Sequence, residues 1–74
     1  MILPNKHVTT KYSILGLGAL LLQYMHRPQR VSTLWEKVRV IPEVGTFERF
    51  VLALDLLYAL GAIELQEGKL RRRG

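Results

Sequence analysis

The chain has no cysteine and only two histidines, His7 and His26, neither of which has a carboxylate nearby at the spacing of a metal site. Disulfide bonds are therefore excluded, and the sequence predicts no bound metal. A chain of 74 residues buries only about 60% of its unfolded surface when it folds. Without covalent or metal cross-links it depends on apolar burial, either within the domain or against a partner.

The sequence also lacks an apolar run long enough to cross a membrane. Its longest uncharged stretch, residues 12–26, is shorter than the roughly 20 apolar residues of a membrane-spanning helix. The N-terminus has no charged start followed by a long apolar segment, as a secretory signal would. These absences predict a single cytoplasmic domain over residues 1–74 with no membrane contact, and the missing cysteine agrees with that location.

Catalytic constellations are missing as well. Neither histidine has a serine or cysteine nucleophile beside it, and each of the six acidic residues is explained as a helix cap, an ion pair or a solvated group. The segment Gly16-Leu17-Gly18 lacks the third glycine and the Lys-Ser/Thr pair of a phosphate-binding loop. We therefore expect no catalytic residue, no cofactor and no enzymatic activity. The two glycines are instead expected to let another backbone approach a helix closely.

What the sequence does contain is a succession of three helices and a hairpin. Pro4 disfavours helix at the N-terminus. Thr33 and Glu36 have the spacing of a capping box in the second helix, and Thr46 and Gly61 fit the two ends of the third. The predicted elements are an extended arm over residues 1–9, helices over residues 12–26, 32–40 and 46–60, and a β-hairpin over residues 62–72.

The hairpin follows from a change to a two-residue period near the C-terminus. A turn at Glu67-Gly68 places Leu65 opposite Leu70 on the inner face. The same register places Glu64 opposite Arg71 on the outer face, as an opposite-charge pair. Three helices followed by a hairpin is the order of a winged helix-turn-helix, so the sequence predicts a mainly α fold with a C-terminal β-hairpin as its wing.

The third helix has a broad apolar surface. Six residues at spacings of three and four predict its core-facing side. They are Phe47, Phe50, Val51, Leu54, Leu57 and Tyr58. Leu52, Leu56 and Leu60 point away from that side, where a helix that reads DNA bases would carry Arg, Lys, Asn or Gln. Two explanations stay open: an unusually apolar core closed by the first helix, or a protein interface at these leucines.

Positive charge is concentrated at the C-terminus. The chain has eleven Lys and Arg residues against six Asp and Glu residues, a formal net charge of +5, which favours acidic partners such as nucleic acid or an acidic protein surface. Lys69, Arg71, Arg72 and Arg73 give the predicted wing side chains that could contact the phosphates of a DNA backbone. A solvated, solubilising tail explains the same residues, and the sequence leaves both readings open.

Several segments resemble a known family in their order and spacing, over almost the whole chain. They are Met1-Ile2-Leu3-Pro4-Asn5-Lys6-His7, Ile14-Leu15-Gly16-Leu17-Gly18-Ala19, Val31-Ser32-Thr33-Leu34-Trp35-Glu36 and the run from Phe50 to Ile63. Together they resemble the small middle components, of the sixth type, of bacterial three-component ABC-ATPase systems. The resemblance implies a winged-helix-like adaptor encoded beside an SMC- or Rad50-like ABC ATPase and an effector protein, in systems thought to defend bacteria against phage or other foreign DNA.

The leading hypothesis is a non-enzymatic adaptor subunit that links such an ATPase to an effector through apolar anchors. The anchors proposed for this protein interface are Trp35, Leu52, Leu56 and Leu60. The alternative is a DNA-binding winged-helix protein, either a regulator or a DNA sensor, whose basic wing contacts phosphates. A third hypothesis is a homodimer in which the spare apolar face pairs with a second copy.

Overall fold

The computed structural model describes the backbone of residues 6–73 and the side chains of residues 13–73. Its elements are α1 (Lys6–Leu22), α2 (Val31–Val38), α3 (Phe47–Ala59), β1 (Ile63–Gln66) and β2 (Lys69–Arg72). Three helices followed by an antiparallel two-stranded hairpin confirm the predicted fold class. Within the described residues, no helix is both long and apolar enough to cross a membrane.

Helix α1 begins and ends earlier than the sequence predicted. It starts at Lys6, so residues 6–9 of the predicted extended arm are helical, and residues 1–5 of that arm lie outside the described part of the chain. Residues 5–15 contain neither proline nor glycine, and a proline just before a helix does not prevent it from forming. After Leu22, the amides of residues 23–25 bond to carbonyls three residues back at 2.9–3.2 Å. This tighter winding ends the α-helix before residue 26.

Helix α2 does not use the predicted capping box. Its N-cap is Arg30, which makes no side-chain capping bond, and Thr33 already lies inside the first turn. Glu36 Oε2 lies 3.3 Å from Arg39 Nε, as one partner of an exposed ion pair. Arg30 is extended, with φ −72° and ψ 154°, because the preceding residue is paired with strand β2. That pairing fixes where the helix can begin.

Helix α3 has the predicted caps at both ends. The Thr46 hydroxyl accepts a hydrogen bond from the Arg49 amide at 3.1 Å. At the other end Gly61 has φ 75°, and its amide donates to the Tyr58 carbonyl at 3.0 Å, while the Ala62 amide donates to the Leu57 carbonyl at 2.8 Å. These two bonds form a Schellman motif, which satisfies carbonyls that the helix itself cannot.

The hairpin has the predicted register, but only one of the two leucines predicted to face the core is buried. Leu65 pairs with Leu70 and Glu64 with Arg71, and the turn residues Glu67 and Gly68 both have positive φ, as in a type I′ turn. Leu70 is buried, whereas Leu65 is 58% exposed. The prediction that both leucines face the core was therefore wrong for Leu65, because it lies on the outer strand beside the turn.

The segment between α1 and α2 pairs with the free side of β2 at a single residue, Gln29. The Gln29 amide donates to the Leu70 carbonyl at 3.1 Å, and the Leu70 amide donates to the Gln29 carbonyl at 2.7 Å. Strand β2 therefore lies between β1 and Gln29. The buried side-chain amide of Gln29 also donates to the Tyr24 carbonyl at 2.8 Å, which fixes the turn that leaves α1. The arrangement is winged-helix-like.

All three helices and both strands contribute to one core. Its buried apolar residues are Leu17, Leu21, Met25, Leu34, Val38, Val44, Phe50, Ala53, Leu54, Leu57, Ile63 and Leu70. A Cβ on Gly18 would lie 3.1 Å from Cδ2 of Leu57, so this glycine lets α1 pack closely on α3. The sequence predicted that another backbone would approach both glycines; at Gly18 the approach is close, but the neighbour is the Leu57 side chain. At Gly16 the prediction was wrong: the residue is exposed, and a Cβ placed on it would meet no other side chain or backbone segment within 4 Å.

Candidate functional site

The buried side of α3 is narrower than its apolar pattern suggests. Phe50, Leu54 and Leu57 are buried as predicted, but Tyr58 is 62% exposed and Phe47 is 51% exposed. At roughly 100° per residue, Phe47 and Tyr58 project from nearly the same edge of the helix. The core covers the centre of the apolar face and leaves this edge open, so the prediction was wrong for these two residues.

Three of the predicted interface residues lie together on the other side of α3. Leu52 is 46% exposed and Leu60 is 63% exposed, with the half-buried Leu56 between them. Residues four apart on a helix are neighbours, so the three side chains lie within about 80° of one another. We call Leu52, Leu56 and Leu60 the leucine stripe.

Trp35 does not belong to the leucine stripe. It is half-buried on α2, and its ring centroid lies 5.1 Å from those of both Phe47 and Phe50. Phe47 projects roughly 140° around α3 from Leu52, counted at 100° per residue. The structure therefore separates Trp35 from the leucines with which it was grouped. Its place is in an aromatic cluster between α2 and the start of α3.

The charges on α3 do not suit contact with DNA. The carboxylates of Glu48 and Asp55 are exposed on the outer side of the helix. Arg49, the only cation in α3, is engaged within the domain: its Nη2 donates to Ser13 Oγ at 2.9 Å and its Nε to the Val44 carbonyl at 3.3 Å. The two carboxylates would repel phosphates. The apolar surface beside them offers no Arg or Lys side chain to the edges of the bases.

The predicted phosphate-contacting residues Lys69, Arg71, Arg72 and Arg73 are all exposed. Glu64 is their ionic partner among the described residues, at 3.8 Å from Arg71 and 3.9 Å from Arg73. Both ion pairs are long and open to solvent, where such pairs contribute little. The charges of these arginines are therefore largely uncompensated.

The structure adds residues that sequence reasoning missed. Arg71 and Arg72 line a cleft of about 360 Å³ together with residues 25–28, which include His26, Arg27 and Pro28. We call this the basic cleft. Arg27 was overlooked because it lies far from the wing in sequence. Pro28 could have indicated the role of this segment, because the residue before a proline favours an extended conformation that can join a sheet.

Neither metal nor nucleotide chemistry is evident among the described side chains. No three carboxylate or imidazole groups of residues 13–73 converge in a way that could hold a metal ion. Gly16 and Gly18 lie within α1 rather than in a loop that follows a strand. The leucine stripe is an exposed apolar surface, and the basic cleft is an exposed cationic one.

Comparison with known proteins gives one result. Residues 3–73 match the family described as the ABC-three component (ABC-3C) system Middle Component 6. No curated protein and no solved structure is detectably similar to the chain. The match spans nearly every residue of the domain whose helices and hairpin are described above, and the chain therefore belongs to the middle component 6 family of ABC-three component systems.

Proposed function

We propose that this protein is a non-enzymatic adaptor that links the ABC ATPase of its system, of the SMC-like type, to an effector protein in a bacterial defence against phage or other foreign DNA. Membership of a middle-component family supports a role between two larger parts. The observation that carries the proposal is the leucine stripe, an apolar surface left open by a domain whose core is otherwise well filled.

The leucine stripe has the form of a helix that docks into a groove. Leu52, Leu56 and Leu60 repeat every four residues, as do the anchors of an amphipathic helix in a partner's apolar groove. Full burial of an exposed leucine side chain is worth about 1.5–3 kcal/mol, so the exposed parts of Leu52 and Leu60 would each contribute on the order of 1 kcal/mol. Anchors of this kind supply much of the affinity in protein interfaces.

The charges beside the stripe indicate what its partner should look like. Glu48 and Asp55 are exposed on α3 and would lie at the rim of the docked surface. Polar and charged groups at a rim set specificity and the rate of association more than affinity. We therefore expect an apolar groove on the ATPase or the effector with Lys or Arg residues along its edge.

Co-expression with the ATPase and effector encoded beside this chain tests the proposal, with affinity capture and light-scattering mass as readouts. Leu60→Asp, alone and combined with Leu52→Asp, should abolish capture while the circular dichroism of the chain stays close to wild type. Leu65→Asp is the matched control, because Leu65 is 58% exposed against 63% for Leu60 and lies on β1 outside the stripe.

Three results would count against the adaptor. Capture that survives Leu52→Asp/Leu60→Asp would show that the stripe is not the interface. Equal loss with Leu65→Asp would indicate a general effect of added negative charge. A lone chain that forms a dimer dissociated by the stripe variants, and ignores both neighbouring proteins, would identify a homodimer interface instead.

A further inference from the structure

The bridge between Gln29 and Leu70 brings two basic segments side by side. Gln29 and Leu70 are partners in an isolated antiparallel bridge, which brings the segment that contains Arg27 beside strand β2. Arg27, Arg71 and Arg72 do line one cleft. The fold thus gathers cations from two parts of the chain where the Gln29 segment meets β2.

This grouping places like charges together with little compensation from the described carboxylates. No carboxylate is among the residues that line the basic cleft, and Glu64 approaches Arg71 only to 3.8 Å. Like charges that lie close together repel one another. A bound anion would remove this repulsion, so the cleft is suited to a ligand with repeated negative charge.

We propose that the basic cleft and the adjoining β2 cations bind the phosphodiester backbone of double-stranded DNA without reading its sequence. Arginine forms paired hydrogen bonds to phosphate oxygens. At about 3.3 Å per strand residue, Lys69 to Arg73 spans roughly 13 Å. That length matches about four nucleotides at a rise of about 3.4 Å each along one strand. Binding of DNA goes beyond the adaptor role and does not depend on it.

The lining of the cleft favours DNA over an acidic protein surface. Protein interfaces usually have an apolar core inside a polar rim. Met25 is the large apolar residue that lines the cleft, and it is only 2% exposed. The open surface is formed by arginines, His26 and Pro28. A site of this kind makes contacts with phosphates, and α3 adds no base-reading residues, so the binding should be independent of sequence.

Fluorescence anisotropy of the full chain with a labelled DNA duplex of about 20 base pairs, titrated at several salt concentrations, tests the proposal. Arg27→Gln/Arg71→Gln removes two charges from the cleft. Lys37→Gln/Arg39→Gln removes two exposed charges from α2 and its C-cap, and serves as the matched control. Circular dichroism establishes that all variants keep the helicity of the wild type.

The expected wild-type dissociation constant is on the order of 10⁻⁴ to 10⁻⁶ M. In the cleft variant, the slope of log affinity against log salt should flatten by about two, and affinity at low salt should fall by roughly tenfold or more. The α2 control should change affinity by less than about threefold. Arg27→Lys/Arg71→Lys keeps the charges and should keep most of the slope, which a purely structural role for these arginines would not predict.

Other outcomes would overturn the proposal. Equal losses in the cleft and control variants would mean that only net charge matters. Absence of duplex binding at about 50 mM salt would exclude a DNA site of ordinary non-specific strength. Polyglutamate that displaces the duplex at equal charge concentration, with the same dependence on Arg27 and Arg71, would assign the cleft to an acidic protein segment.

Discussion

Leu57 of α3 packs so closely on Gly18 of α1 that a Cβ at Gly18 would lie 3.1 Å from Leu57 Cδ2 and 3.3 Å from Cγ. Leu57 is only 3% exposed, so it has little room to move aside. Gly16 lies about half a turn away in α1, and a Cβ placed on it would meet no other side chain or backbone segment within 4 Å. The two glycines of one short segment therefore stand in opposite packing environments.

This contrast predicts opposite effects for the same substitution. Gly16→Ala should raise the free energy of unfolding by about 0.5–1 kcal/mol, because alanine restricts the unfolded chain and favours helix. Gly18→Ala gains the same helix propensity but overpacks the contact with Leu57, and should lower the free energy of unfolding by about 1 kcal/mol. Urea denaturation of both variants measures the difference. A stabilising Gly18→Ala would mean that the contact between α1 and α3 is looser than the structure shows.

The turn of the hairpin predicts a stabilising substitution. Glu67 has φ 55°, a left-handed conformation that is costly for most residues with a Cβ but less so for asparagine. Glu67→Asn gives the Asn-Gly sequence preferred in type I′ turns, and should raise the free energy of unfolding by about 0.5–1 kcal/mol. Thermal denaturation measures this. Gln66→Asn, at a strand position of the same hairpin, is the control and should be neutral or destabilising.

Features fixed by neighbours in sequence were predictable, and the caps of α3 show why. Thr46 bonds the amide three residues on, and Gly61 adopts the left-handed conformation that ends a helix. The hairpin register likewise follows from a two-residue turn and the pairing of Glu64 with Arg71. Each of these depends on interactions within a few residues along the chain, so the sequence pattern alone contains them.

Features set by contacts between distant segments were missed. Thr33 fits a capping box locally, but the pairing of Gln29 with Leu70 fixes the start of α2 upstream of it. Tyr58 shares an apolar spacing with core residues, yet none of the described elements covers it. Arg27 joins the basic cleft only because the same pairing brings its segment to β2. Spacing along one helix or strand cannot report which other segment lies beside it.

The side chain of Gln29 should be important for that pairing. Its amide Nε2 donates to the Tyr24 carbonyl at 2.8 Å and, more weakly, to the Arg27 carbonyl at 3.4 Å, while the residue is 6% exposed. Gln29→Ala leaves the Tyr24 carbonyl without this donor and opens a small void, and these costs exceed the gain from removing Gln29 Oε1, a buried acceptor that has no hydrogen-bond partner among the described residues. The expected net loss is about 1 kcal/mol of unfolding free energy.

Hydrogen exchange distinguishes this effect from general destabilisation. The Leu70 amide bonds to the Gln29 carbonyl, so in Gln29→Ala its protection should fall by more than that of amides in the middle of α3. Equal loss of protection at both places would mean that Gln29 stabilises the domain as a whole without specifically holding the segment between α1 and α2 against β2.

Substitutions at Trp35 and in the leucine stripe should have different effects: the first should lower stability, and the second should weaken binding of the partner. Trp35 packs at 5.1 Å, between ring centroids, from both Phe47 and Phe50, so Trp35→Ala should lower the free energy of unfolding by about 2–4 kcal/mol. Leu60→Ala removes a side chain that is 63% exposed, and should cost less than about 1 kcal/mol of stability while weakening capture of the partner. Denaturation and affinity capture of both variants provide the comparison. If Trp35→Ala leaves stability unchanged and abolishes capture, Trp35 is an interface anchor as first hypothesised, and the aromatic cluster rather than the leucine stripe is where the partner docks.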